Sequence, residues 1–350
     1  MNKKIKFLIP DICIPNTYVH DLAFSLQEIG HEVVWGDNNF FYSRWQPDVI
    51  ASQWPEGYFR SYDGSKKMQP YHLTALQDKL DSWRQKTLII AFVHNIKARA
   101  TGSQDLDTQL YKLFEMSYGA AHAFVHLGKN SISELHRHYS PEVYQDKPLL
   151  VISQGLHEQL SCCYPLPNDQ VDSSQSFRIF VPGAIRTWAE VTFLIRAFLE
   201  ARIPNKKLVI AGGGLLFDGK HPMKVLRCAA IRSIPGVLLF GHRLDDLKLS
   251  QEILSADILI APRLWATNSA IPYLAATFGK RCIGPNIGNL PEALSDLNGI
   301  LFDPGCHSSL ARAMEIAYEK REVDFLPDPP CPSWREIAKE IENFVMILKG

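Results

Sequence analysis

The sequence contains no apolar run approaching the roughly 20 residues needed to cross a bilayer. Its basic opening, Asn2-Lys3-Lys4, leads only into the short run Ile5 to Pro10, with no signal-peptide cleavage region behind it. A cytoplasmic protein is expected, with association to the inner face of the membrane left open. Neither sign of charge prevails: 37 Lys and Arg balance 37 Asp and Glu, so the overall field favours no nucleic acid partner, and peripheral membrane contact would need a local patch. Cysteine is sparse and odd in number, seven residues scattered at 13, 162, 163, 228, 282, 306 and 331. That pattern lacks the paired spacing of a zinc site or a secreted disulfide framework. The adjacent pair Cys162-Cys163 is poorly placed for a disulfide. No Asp-x-Asp pair stands in a metal-binding context, so no metal is expected, and no low-complexity tract points to disorder.

What is present is an ordinary globular composition, 46% hydrophobic and 21% charged over 350 residues, a length that suits two domains. The run Ile5 to Ile9 predicts a strand. Val19, Leu22, Ala23, Leu26 and Ile29 then recur at helical spacing, Gly30 sits where a helix would stop, and His31 to Trp35 resumes an extended pattern. This is a βαβ unit. The alternation continues through Val49-Ile50, Leu88 to Val93, a helix with Leu106, Leu110, Leu113 and Phe114 on one face, Ala123 to Val125, and Leu149 to Ile152. Ser131 and Glu134 have the spacing of a capping box opening a short helix. A proline-rich, polar stretch between about Leu160 and Ser176 reads as a linker. A second series follows, with strands expected at Phe177 to Val181, Leu208 to Ile210, Val237 to Phe240, Ile258 to Ile260, Cys282-Ile283 and Ile300 to Phe302. Strands alternating with helices predict two α/β lobes with parallel sheets. The expected domains are 1–163, 164–328 and a terminal helix in 329–350, whose stripe Trp334, Ile337, Ile341, Phe344, Val345 and Leu348 needs a surface to cover it. Beyond the proline cluster, that helix is able to pack on the first lobe.

Several short motifs follow one another in order. Ser255 to Pro262, Ala275 to Lys280, Gly288-Asn289-Leu290-Pro291-Glu292 and Asn298 to Gly305 stand in the second half, preceded by Gly183-Ala184-Ile185-Arg186 and Ala211-Gly212-Gly213-Gly214. The first half carries Gly30-His31-Glu32-Val33, Trp54-Pro55-Glu56, Val93-His94-Asn95 and Gln154-Gly155-Leu156-His157. Together they resemble glycosyltransferase family 4, over roughly residues 5 to 345 and most strongly in the second lobe. The resemblance implies a GT-B fold, two Rossmann-like lobes facing a cleft. It also implies transfer of a hexose-type sugar, with retention, from a nucleoside-diphosphate sugar, UDP- or GDP-linked, to a glycan or lipid-linked acceptor. Departures are equally plain. Two glutamates common in the family correspond to Ala266 and Leu274, and the arginine and lysine that usually meet the diphosphate correspond to Ala184 and Ala189. Arg186 and Arg263 remain as the nearest cations.

A departing nucleoside diphosphate calls for hydroxyls, backbone N–H groups and a cation. Thr267, Asn268 and Ser269, ahead of a helix expected over 270–277, suit that need, although such residues also simply cap helices. Arg186 could bind two phosphate oxygens or serve in a surface ion pair. Gly213 and Gly214 would let the backbone approach the donor, or make an ordinary turn. Phe240 and His242 could frame the base. His94 is the catalytic candidate: it ends an apolar strand, is expected to project into the cleft, and carries a ring that exchanges protons near neutral pH or donates a hydrogen bond. A satisfied structural histidine is the alternative. Asn16, Thr17, Trp54, Glu56 and His157 are candidates for substrate contact, with Trp54-Pro55-Glu56 equally able to act as a wedge that fixes its loop. A monomer or homodimer is expected. A catalytically silent partner subunit, or an epimerase acting on the nucleotide-sugar alone, are the rival readings.

Overall fold

The computed structural model describes residues 4–10, 17–36, 39–65, 68–98, 103–163, 176–183, 185–211, 222–240, 242–322 and 331–350. Asn16, Gly213 and Gly214 lie outside the described residues. The chain divides into two units, one formed by Met1–Gly155 with Pro332–Gly350 and the other by Leu156–Cys331.

Unit 1 begins with β1 (Lys6–Ile9), α1 (Thr17–Glu28), β2 (Glu32–Trp35), α2 (Asn39–Tyr42) and β3 (Val49–Ser52). After a 3-10 turn at Pro55–Gly57 come α3 (Tyr58–Asp63), α4 (Pro70–Arg84), β4 (Leu88–Val93), α5 (Gln104–Ala120), β5 (Ala123–His126), α6 (Asn130–His138), α7 (Pro141–Tyr144) and β6 (Leu149–Val151). The strands form one parallel sheet in the order β2-β1-β3-β4-β5-β6. Because successive side chains point to opposite faces, Phe7, Ile9, Ile90 and Phe92 meet one apolar cluster and Leu8, Ile50, Ala91 and Val93 the other. A sheet buried on both faces is why β4 reads as an unbroken apolar run. Gly30 ends α1 at φ +104°; its N–H donates to Gln27 O and that of His31 to Leu26 O, the Schellman pattern that glycine permits.

Unit 2 begins with α8 (Glu158–Cys163), β7 (Arg178–Val181), α9 (Trp188–Glu200), β8 (Lys207–Ile210), α10 (Pro222–Arg232), β9 (Val237–Leu239) and α11 (Asp246–Leu254). β10 (Ile258–Ile260), α12 (Ile271–Thr277), β11 (Arg281–Pro285), α13 (Leu290–Asp296), β12 (Ile300–Phe302) and α14 (His307–Glu319) follow. Its parallel sheet runs β12-β11-β10-β7-β8-β9. Both sheets thus reverse direction beside their first strand, at β1/β3 in unit 1 and β7/β10 in unit 2. The loops at the carboxyl ends of those pairs flank the crevices where ligands of open α/β sheets bind.

The last helix, α15 (Trp334–Lys349), belongs to unit 1. Ser333 caps it, its Oγ accepting from Glu336 N while the Glu336 carboxylate accepts from Ser333 N at 2.8 Å. Trp334, Ile337, Ile341, Phe344 and Val345 are buried with α1 and β1, so the apolar stripe covers one face of the first sheet. Lys349 Nζ meets Asp48 Oδ1 at 2.8 Å at its far end.

Three expectations are corrected. The division between units falls at Gly155/Leu156, ahead of the proline-rich stretch, because His157 N donates to Thr277 Oγ1 at 2.9 Å and so ties that segment to unit 2. Ser131 does not cap α6. Its hydroxyl donates to Gly128 O at 2.7 Å and meets His126 Nδ1 at 2.9 Å, leaving Lys129 at the cap. α4 is missing from the expected order of elements, although His72, Leu76, Leu80 and Trp83 are its buried stripe and Pro70 sits in its first turn. No helix among the described residues is long and apolar enough to cross a membrane.

Candidate functional site

In unit 1 the carboxyl ends of β3 and β4 are neighbours, and the residues after them interlock. His94 directly follows β4. It is 7% exposed, with its Nε2 2.7 Å from Gln53 Oε1. Trp54 stacks on the imidazole at 4.1 Å with 24° between planes, and Tyr18 of α1 meets it edge-on at 4.7 Å. Burial pulls the histidine's pKa down to about 3. The expected proton exchange near neutral pH is therefore corrected: desolvation penalises the imidazolium, and the ring stays neutral. Nor does His94 project outward from its strand, because the aromatic rings of Tyr18 and Trp54 enclose it.

Trp54 is partly buried and Glu56 lies in the 3-10 turn that follows it. Glu56 Oε1 accepts from Asn95 Nδ2 at 3.1 Å, so these loops are joined a second time. Thr17 stands exposed at the first position of α1.

In unit 2, β7 and β10 are neighbours and their loops are joined by a buried carboxylate. Thr187 and Glu190 form a capping box at the start of α9. Glu190 Oε2 accepts from Arg186 N at 2.7 Å and Thr187 N at 3.3 Å, and lies 3.7 Å from Arg263 Nη1. Four residues beyond Arg263, Thr267 is buried, and its carbonyl accepts from Asn289 N at 2.8 Å. Asn289 Nδ2 donates to Asn268 Oδ1 at 2.7 Å. The cap position of α12 is Ala270, and Ser269 Oγ reaches into the first turn, 3.4 Å from Ile271 N.

His157 is buried against the same segment. Its N–H bonds Thr277 Oγ1 and its imidazole bonds the Ala270 backbone, while burial lowers its pKa to about 4. Phe240 follows β9, half-buried, with exposed His242 edge-on to it at 6.3 Å. The structure thus links the Arg186 backbone to Arg263 through Glu190, sets His157 against the Ala270 backbone, and separately joins His94 to Trp54. A surface depression of about 730 Å³ beside α9, lined by Trp188, Thr192, Arg196, Arg227, Leu264 and His307 among others, includes none of the predicted site residues that the structure describes. Gln53, Tyr18 and Glu190 were not among the expected residues. Each acts through a partner distant in sequence or through a cap, so only Thr187-x-x-Glu190, a capping-box spacing, was open to detection beforehand.

No curated protein shows significant sequence similarity to the chain. In fold it is similar to sucrose-phosphate synthase from Thermosynechococcus elongatus, with TM-score 0.69, 13% identity, and 99% of each chain covered. It is also similar to Anabaena HepE in complex with UDP-glucose (TM-score 0.65, 13% identity, 98% and 99% covered). The catalytic domain of Arabidopsis thaliana starch synthase IV bound to ADP and acarbose gives TM-score 0.63 at 13% identity, with 99% and 98% covered. The family model described as glycosyl transferases group 1 matches residues 167–339. With two six-stranded parallel sheets, each reversing direction beside its first strand, the chain has the GT-B fold, and its residues 167–339 are similar to the glycosyl transferases group 1 family.

Proposed function

We propose that the protein transfers a hexose-type sugar, with retention and without a metal, from a nucleoside-diphosphate sugar to a glycan or lipid-linked acceptor. The observation that carries this reading is the Glu190 bridge at the reversal point of unit 2. It sets the Arg186 loop and the 263–269 loop side by side, where a diphosphate would meet a guanidinium, the hydroxyls of Thr267 and Ser269, and backbone N–H groups. Phe240 and His242 flank the base in this reading. Gly213 and Gly214, with Asn16, are assigned to donor and substrate contact on sequence grounds alone.

Unit 1 supplies the acceptor side, through Thr17, Trp54 and Glu56, with His94 as a neutral hydrogen-bonding group and no enzymic base. The leaving diphosphate assists the acceptor hydroxyl. His157 acts by holding the backbone at Ala270. HepE and starch synthase IV, described in complex with UDP-glucose and with ADP, support a nucleotide-linked donor here, UDP-linked before GDP-linked.

A thermal-shift panel of UDP, GDP, ADP and UDP-glucose tests the reading. A ligand at a hundred times its Kd adds about 2.7 kcal/mol, and Arg186→Ala is expected to abolish most of that gain. Absence of stabilisation by every nucleotide would sink the proposal. Nucleotide binding without turnover on any acceptor would favour a silent partner subunit, and conversion of the donor without acceptor would favour an epimerase.

A further inference from the structure

The contact between Gln53 and His94 determines more than where the imidazole sits. Gln53 is 1% exposed, and its Nε2 donates to Ala51 O at 3.2 Å. With the amide nitrogen committed to that carbonyl, the atom facing His94 at 2.7 Å is Oε1, which only accepts. The hydrogen between them therefore belongs to His94 Nε2. We propose that Gln53 is a positioning residue that fixes His94 in its Nε2–H tautomer, so that the ring stays neutral and does not serve as an acid.

The packing leaves the ring little freedom to exchange its nitrogens. Trp54 covers one face at 4.1 Å, Tyr18 closes the edge at 4.7 Å, and Trp334 of α15 backs Tyr18 at 5.0 Å. The partner is also neutral. A carboxylate in the place of Gln53 would stabilise the imidazolium and make the ring a proton carrier, whereas an amide orients it without supplying charge. The ionisable groups on the surrounding elements are Tyr18, His20, Asp21 and Glu28 on α1, Glu56 in the turn after β3, Lys97 in the loop after β4, and Arg335, Glu336, Lys339, Glu340, Glu342 and Lys349 on α15. Tyr18 is held protonated by burial, and Glu56 is engaged by Asn95. Burial, and no charge on these elements, accounts for the depressed basicity of His94.

The relevance to turnover rests on the function proposed above, but the tautomer can be read without it. In the full chain labelled with ¹⁵N at histidine, two-bond ¹H–¹⁵N spectra distinguish the two neutral tautomers, and His94→Gln identifies the His94 signals. The wild type is expected to show the Nε2–H pattern, unchanged between about pH 5 and 8. Gln53→Glu is expected to raise the His94 pKa by about one to three pH units. Gln53→Leu, which keeps the bulk and removes the acceptor, is expected to lose the single-tautomer pattern. An Nδ1–H pattern or an ordinary histidine titration in the wild type overturns the inference, and that measurement needs no Gln53 variant to fold. With UDP-glucose as donor and an acceptor that the wild type glycosylates, Gln53→Glu is expected to add a pH-dependent limb to kcat with little change in KM. No transfer from any nucleoside-diphosphate sugar to any acceptor by the wild type, alongside the Nε2–H pattern, would count against the proposed reaction and leave the tautomer standing.

Discussion

Glu190 Oε2 lies 3.7 Å from Arg263 Nη1, both side chains are buried, and the same oxygen accepts the Arg186 N–H at 2.7 Å. One carboxylate therefore fastens the loop after β7 to the loop after β10, at the point where the sheet of unit 2 reverses direction. In the chain the two loops are far apart. Their registry depends on this contact as well as on the pairing of the strands beneath them.

Removing Glu190 leaves a buried guanidinium facing a lost charge, and breaking a buried pair from one side costs about 3–5 kcal/mol. Glu190→Ala is expected to lower stability to that extent in urea unfolding. Glu190→Gln, which can still accept from Arg186 N and Thr187 N, should recover part of the loss, and both should weaken UDP binding. A Glu190→Ala protein as stable as the wild type would show that the pair contributes nothing.

Three buried histidines should make the protein acid-sensitive. Burial holds His94 at about 3, and His126 and His157 at about 4, against about 6.5 in an unfolded chain. Above that value all are neutral in both states and stability is complete. As pH falls below it, the unfolded chain binds protons that the folded chain refuses, and each group costs about 1.4 kcal/mol per pH unit until its folded value is reached. The urea midpoint should therefore drop steadily from about pH 6.5 towards pH 4, and His126→Asn should reduce the slope by one proton. A flat profile over that range would contradict the burial of these rings.

The strands were legible because each parallel sheet is buried on both faces and leaves an apolar run in the sequence. β4, β10 and β12 fall where Leu88 to Val93, Ile258 to Ile260 and Ile300 to Phe302 predict them. The loops after the strands were legible as short motifs, since a turn is a local matter. What those loops touch was not. Gln53 meets His94 across 41 positions and Asn289 meets Asn268 across 21, and neither partner is implied by the other's neighbours. Burial likewise decides the charge state of His94 through Tyr18, Trp54 and Trp334, rings brought together only by the fold. Ser131 shows the converse error, in which a good signal for a cap loses to other local bonds, with Gly128 O and His126 Nδ1.

Gly288 holds the 266–269 loop by having no side chain. At φ +55° an added Cβ would stand 2.3 Å from Ala266 O and 2.5 Å from Thr267 O, neither of which can move without displacing the loop. Gly288→Ala is expected to cost about 1–3 kcal/mol through strain, and to weaken UDP binding more than the stability loss alone explains. Equal affinity in calorimetry would separate the position of this loop from donor binding.

The same close approach fixes α15. A Cβ on Gly155 would lie 2.6 Å from the Trp334 ring, so the indole rests directly on the backbone where unit 1 ends, with Tyr18 against its other edge. Trp334→Ala opens a cavity and is expected to cost about 3–5 kcal/mol. Gly155→Ala should do comparable damage from the opposite side, by pushing out the indole and with it the first turn of α15. Because both changes act on one contact, the double variant should be less destabilised than the sum of the two. Hydrogen exchange should then show faster amides in α15 and α1 in each variant, with α12 and α13 of unit 2 unaffected. Strict additivity, or loss of protection in unit 2 alone, would mean that Trp334 does not anchor the helix through Gly155.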